Sequence, residues 1–237
     1  MIIRETIALA RDGERSFDAY LARPERDDAP SIMIFTEMFG TGAHNRDMAD
    51  DFARRGFAAL IPNLYWRSSF PGELAFSGPD RDAAWARLAA FDVDAGGRDI
   101  GTAVDWLRAQ AFSNGKVFAL GFCAGGRMAF VAAARTSIDA AVSFYGMGIA
   151  KHEAEFGRVT CPVHLHYGLK DPHIPHPEID AVTRAAQPQR NIEVFIYPDA
   201  GHSFFNPIRP GYHAASAKIA GERLEALIER TFAAAPA

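Results

Sequence analysis

The sequence predicts an α/β protein, a mostly parallel twisted sheet with helices on both faces. Two observations predict it. Apolar runs of strand length at 31–36, 58–64, 116–122, 140–145, 163–167 and 192–197 alternate with stretches of helical composition or spacing. That alternation is the pattern of a sheet covered by helices on its two faces. With 237 residues, 49% hydrophobic and 23% charged, the chain has enough apolar surface for one sizeable core, and a single domain over 1–237 is expected.

The first two segments, 2–10 and 18–23, flank the turn-like Asp12-Gly13 and read as an antiparallel hairpin at one sheet edge. Helices are expected over 44–55, over 81–110 with a break near Gly96-Gly97, over 125–135 and over 177–186. The final segment, 212–234, sets Leu224, Leu227, Ile228 and Phe232 on one face at helical period, so it should pack against the sheet. The connection 63–80 is long, lacks a clear period and carries Trp66, Phe70, Pro71, Phe76 and Pro79. It reads either as a functional loop closing over a site or as a plain surface excursion.

Charge and cysteine usage narrow the partners. Lys+Arg at 25 against Asp+Glu at 29 gives a net charge of -4, and no basic cluster stands out to neutralise phosphates, so no nucleic acid is expected. The charged N-terminal segment and the lack of a long apolar run predict a cytoplasmic chain with no membrane partner, a monomer or small homo-oligomer. Cys123 and Cys161 are expected as free thiols, Cys161 in a structural role.

The chemistry centres on Gly121-Phe122-Cys123-Ala124-Gly125, which joins a strand-like run to an alanine-rich helical stretch. A strand turning sharply into a helix leaves little room two residues either side of the corner, and glycine stands at both places. The helix start would lie under the sulfur and favour thiolate. A nucleophile needs a base, and the base an orienting acid. Asp171 follows the run 163–167, and His202 follows 192–197 within Asp199-Ala200-Gly201-His202-Ser203. Read alone, one is a turn aspartate before proline and the other a surface-loop histidine. Read together, nucleophile, acid and histidine come in the chain order of α/β-hydrolases. Glu37 ends the run 31–36 at the strand end where open α/β sheets keep their sites, and it reads as a proton acceptor for the thiol or as a solvated turn carboxylate. The backbone N–H groups of Met38 and Ala124 are the expected oxyanion hole.

With those residues in hand, the chain resembles the dienelactone hydrolase (carboxymethylenebutenolidase) family across nearly its whole length. Glu37-Met38-Phe39-Gly40, Pro62-Asn63-Leu64-Tyr65, Ser113-Asn114-Gly115-Lys116-Val117, Gly121-Phe122-Cys123-Ala124-Gly125-Gly126, Ala200-Gly201-His202-Ser203-Phe204 and Gly211-Tyr212 carry the resemblance. It implies an α/β-hydrolase fold and a hydrolase of enol lactones or related activated esters, acting through a cysteine and a thioester. It also implies that Glu37 holds the resting thiol and accepts its proton, and that two arginines grip a substrate carboxylate. Arg81 matches the first arginine. Asn206 stands at the second, and Trp85 stands where the family has a tyrosine. Arg209, three residues on, is a candidate replacement for the guanidinium, and Ser203 lies in the same substrate-binding loop. Without the resemblance Arg81 reads as a solvated arginine at a helix start. Neutral lactones or esters are the alternative substrates.

Other readings remain. A redox-sensing thiol protein would use the same sulfur, although no Cys-x-x-Cys or nearby resolving cysteine supports it. His164, His166, His173 and His176 can be read as a metal site, but a turn separates the pairs and no Cys or Glu completes a known spacing. Ser113-Asn114-Gly115-Lys116 fits a Ser-x-x-Lys spacing but reads as a turn, and Gly40-Thr41-Gly42 lacks the third glycine of a dinucleotide loop. No cofactor is expected.

Overall fold

The computed structural model describes residues 1–233. The chain folds as two compact units, Met1–Ala119 and Leu120–Ala237. The first contains strands β1 (Ile2–Asp12), β2 (Arg15–Pro24), β3 (Ala29–Phe35) and β4 (Ala58–Pro62), and helices α1 (Ala43–Arg54), α2 (Pro79–Ala89) and α3 (Val93–Arg108). Strand β5 (Ser113–Phe122) runs across the division. The second contains α4 (Ala124–Arg135), β6 (Ala140–Phe144), a 3₁₀ segment (Ile149–Arg158), β7 (Val163–Gly168), α5 (His176–Ala186), β8 (Ile192–Tyr197) and α6 (Ala214–Phe232).

The eight strands form one sheet in the order β1-β2-β4-β3-β5-β6-β7-β8. The opening hairpin is antiparallel, with Ile2 opposite Pro24 and Asp12 opposite Arg15, and β2 also pairs antiparallel with β4. β3 with β4, β6 with β7 and β7 with β8 are parallel. Burial follows position in that order. Every residue of β4, β6 and β7 is buried, as strands covered on both faces must be, whereas the edge strand β1 has no buried residue and β8 leaves Glu193 and Ile196 exposed. The helix α6 packs against β6 and buries Leu224, Leu227 and Ile228, with Phe232 half-buried. Ala234, the last residue of the expected helix, lies outside the described residues.

The long helical stretch breaks earlier than its glycines suggest. Asp92 interrupts it, and its side chain accepts the N–H groups of Asp94 and Ala95 at 2.9 and 3.0 Å to start α3. Gly96 and Gly97 lie buried inside α3, so the pair marks close packing rather than a break. The 3₁₀ segment has no counterpart in the expected elements, and its backbone kinks at His152.

The connection after β4 is tied down at several points. Trp66 donates its indole N–H to the buried Asp99 carboxylate at 2.9 Å, and Arg67 pairs with the same carboxylate. Further along, Asn63 donates to the Pro71 carbonyl at 3.0 Å, and the Leu74 N–H donates to the Phe39 carbonyl at 2.9 Å. Among the described residues no helix is long and apolar enough to cross a membrane.

The histidines of β7 have separate structural partners. His164 meets Glu193 at 3.2 Å, and the fully buried His166 bonds the Tyr197 hydroxyl at 2.8 Å. That hydroxyl also accepts from Arg223 at 3.0 Å. Burial, with His164 and Arg223 nearby, pushes the His166 pKa well below its ordinary value. Among the described residues no group of three or more His, Cys, Asp or Glu is placed to hold a metal ion.

Candidate active site

At the end of β5 the chain turns through Cys123 into α4. Cys123 has φ 56° and ψ −119°, a left-handed φ that a side-chain-bearing residue adopts at a cost of about 1–3 kcal/mol. The neighbours enforce it. A Cβ on Gly121 would lie 2.0 Å from the Gly125 carbonyl oxygen and 2.5 Å from its carbon, so only glycine permits this crossing. The Cys123 N–H donates to the Phe144 carbonyl at 3.0 Å, and its own carbonyl accepts from Gly126 at 3.0 Å. A Gly121→Ala substitution should therefore destabilise the fold by about 3 kcal/mol or more, read as a lowered urea midpoint at unchanged slope.

Cys123 is 4% exposed and lies at the N-terminus of α4, whose first N–H groups have no acceptor inside the helix. Its sulfur lies 3.5 Å from the Met147 thioether. Cys161 differs: burial pushes its thiol up to about 11, which leaves it a poor nucleophile, and both cysteines are free of disulfides.

Asp171 and His202 come from the loops after β7 and β8. One Asp171 oxygen accepts the His173 N–H at 2.8 Å, and the other contacts His202 Nδ1 at 2.7 Å. A carboxylate only accepts, so Nδ1 carries a proton towards Asp171 and Nε2 is left for other partners. The ring in turn hydrogen-bonds Cys123, so the structure joins acid, imidazole and thiol. The Asp171 side chain is fully shielded from solvent, and that of His202 is nearly so.

Burial, the largest influence on His202, works against its charge. Attraction to Cys123 and the hydrogen bond the ring donates to Asp171 outweigh it and raise the imidazole to about 10. The sign follows: the folded value exceeds the ordinary 6.5, so the charged ring's contribution to stability is complete below that value and disappears as pH rises towards 10. If His202 serves as a general acid, kcat/KM should show an alkaline limb near pH 10, and Asp171→Asn should move that limb to lower pH in a pH–rate profile.

Two residues missed in the sequence complete this wall. Tyr145, with φ 42°, places its ring 5.1 Å from that of His202, and Met147 touches the sulfur. Both lie just past β6, at the same strand ends as the other site loops, which was the available signal. Ser203, with φ 62°, is buried beside His202. Asn206 donates its N–H to the Ser203 carbonyl at 2.9 Å, and its side-chain oxygen accepts from Ile208 at 3.2 Å. The amide is therefore folded into its own loop. The Arg209 N–H donates to the Asn206 carbonyl at 3.1 Å.

The remaining predicted residues lie in the first unit. Glu37 and Met38, both buried, follow the end of β3 in a turn closed by the Gly40 N–H on the Glu37 carbonyl at 3.2 Å. Arg81 is exposed in the first turn of α2, and its N–H donates to the Gly78 carbonyl at 3.0 Å. Trp85, four residues further along, packs against the buried group Met38, Phe39 and Ala84.

Residues 17–232 match the pattern of the dienelactone hydrolase family. The chain belongs to the dienelactone hydrolase family. Relatives include the carboxymethylenebutenolidase of Pseudomonas putida, 35% identical with 94% of each chain covered. Carboxymethylenebutenolidase 1 of Cupriavidus pinatubonensis is 34% identical over 90% of this chain and 91% of its own. Among solved structures, a candidate dienelactone hydrolase of Klebsiella pneumoniae superposes with a TM-score of 0.85 at 27% identity, covering 97% of this chain and 99% of that one. A metagenomic dienelactone hydrolase-like promiscuous phosphotriesterase, 23% identical with a TM-score of 0.82 and covering 97% and 98% of the two chains, shares the fold. The dienelactone hydrolase assignment agrees with the mixed eight-stranded sheet and its opening antiparallel hairpin.

Proposed function

We propose that this hydrolase of lactone and ester bonds opens dienelactone-like enol lactones with Cys123 as a covalent nucleophile. The observation that carries the reading is the continuous hydrogen-bonded series from Asp171 through His202 to Cys123. In the proposed sequence Glu37 takes the thiol proton as substrate enters, and the thiolate is held by the His202 imidazolium and the start of α4. Sulfur attacks the carbonyl carbon while the N–H groups of Met38 and Ala124 bind the developing oxyanion. The ring C–O bond then breaks, its electron pair leaves on the enolate oxygen, and His202 supplies a proton. Neutral His202 next takes a proton from water, the hydroxide attacks the thioester, and the thiolate departs to be reprotonated. The net change is lactone plus water to the open acid.

Sulfur favours activated substrates. With an ordinary thiol pKa near 8.5, a thiolate is itself a good leaving group, so acylation proceeds best when the substrate expels a comparably stable anion. Enol lactones and aryl esters meet that condition, and simple alkyl esters and amides do not.

Arg81 is the proposed carboxylate contact, with Trp85, Ser203, Asn206 and Arg209 as further substrate contacts. One observation favours a second reading, in which neutral esters or lactones compete: at Asn206 an amide stands where the resemblance calls for a guanidinium, and its oxygen is occupied by Ile208. A substrate panel tests this. Arg81→Ala should lower kcat/KM for an acidic dienelactone by about 30-fold, as loss of a charge-assisted pair worth about 2 kcal/mol implies, and leave a neutral lactone nearly unchanged. Equal efficiency of the wild-type chain on acidic lactone, neutral lactone and aryl ester would remove the carboxylate grip.

A further inference from the structure

Arg87 is only 2% exposed, yet its hydrogen bonds go to carbonyl oxygens and not to a carboxylate. Nε donates to the Met38 carbonyl at 2.9 Å and Nη2 donates to the same oxygen, while Nη1 donates to the Phe70 and Gly72 carbonyls at 2.7 Å each. The guanidinium also lies over the Tyr65 ring at 4.3 Å. Burying a cation with only neutral acceptors is costly, and core packing alone would be served better by an apolar side chain. The acceptors show what the cation holds: the turn after β3 and the middle of the long connection.

Three consecutive carbonyls of that turn are fixed from three directions. Glu37 O accepts from Gly40, Met38 O from Arg87 and Phe39 O from Leu74. In a trans peptide the C=O and N–H point opposite ways. The Glu37–Met38 plane, with its carbonyl drawn to Gly40, therefore turns the Met38 N–H away from the turn, and that N–H is not used in closing it. Arg87 pins the next plane, so rotation about Met38 is blocked on both sides. A Cβ on Gly40, which has φ +81°, would lie 3.0 Å from the Gly72 carbonyl and 3.4 Å from Arg87, so the assembly is closely fitted.

We infer that Arg87 is a positioning residue that sets the direction of the Met38 N–H and ties it to the helix that carries Arg81 and Trp85. This rests on the proposed function, in which that N–H binds the oxyanion. Arg87 touches no reacting atom. Its influence should therefore fall on steps that develop negative charge on the carbonyl oxygen, and spare the nucleophilicity of Cys123.

Two rates on the same protein separate these. Turnover of dienelactone builds an oxyanion, whereas alkylation of Cys123 by iodoacetamide is a displacement at carbon that builds none. Arg87→Met should lower kcat by about 10- to 100-fold, with KM changed less than about threefold and the alkylation rate within about twofold of wild type. Arg87→Lys, which keeps the charge and one donor direction, should recover part of kcat. If Arg87→Met does not fold, Arg87→Lys carries the test alone, with the same split between a lowered kcat and an unchanged alkylation rate. Parallel loss of both rates, or an unchanged kcat, overturns the inference. Failure of the underlying reading looks different: a Cys123→Ala chain that still opens the lactone at the wild-type rate would remove the nucleophile whatever Arg87 does.

Discussion

Cys123→Ala should lower kcat/KM for dienelactone on the order of 10⁴-fold or more, with the thermal midpoint little changed. The size of the effect follows from the site. His202 and Asp171 remain in place after the substitution, but neither imidazole nor carboxylate stands at the helix start that would hold the attacking atom, and water must replace a prealigned sulfur. Stability should hold because alanine keeps the backbone bonds to the Phe144 carbonyl and from the Gly126 N–H, and Cys123 already bears the strain of φ 56° that alanine inherits. Initial rates with a spectroscopic lactone assay, alongside melting curves, check both halves.

His202→Ala should cost on the order of 10³-fold in steady-state turnover, unevenly divided between the two half-reactions. An enolate leaving group is stable without a proton, so acylation suffers less. Deacylation suffers more, because water attacking the thioester has lost its base. Stopped-flow measurement should show a burst of about one equivalent followed by a slow phase, where wild type turns over without one. Asp171 acts through the same ring. Its oxygen at 2.7 Å holds Nδ1 protonated, so removing the imidazole also strips the carboxylate of its function and the double variant should be little worse than the single.

Much of this was legible from local chemistry. The strand runs were visible because central strands, buried on both faces, must be apolar throughout, and the elbow because Gly121 meets the Gly125 carbonyl with no room for a methyl group. Asp171 and His202 stood out by chain order and by their position just after strands, and they meet at 2.7 Å. What was hidden depends on contacts distant in sequence. Arg87 reads as an ordinary surface cation of a helix until carbonyls from residues 38, 70 and 72 converge on it. Gly96-Gly97 looks like a break, yet the cap formed by Asp92 moved the break upstream and packing absorbed the glycines. Tyr145 and Met147 carried no motif, and only the φ of 42° and the position past β6 bring them to the site.

Intact-protein mass spectrometry of the His202→Ala chain mixed with dienelactone tests the covalent reading most directly. Ring opening retains the leaving oxygen within the acyl group, so the adduct should equal the full mass of the lactone, map to the peptide containing Cys123, and disappear in Cys123→Ala. Continued turnover with no adduct at any time point, or an adduct that survives loss of Cys123, would contradict the account.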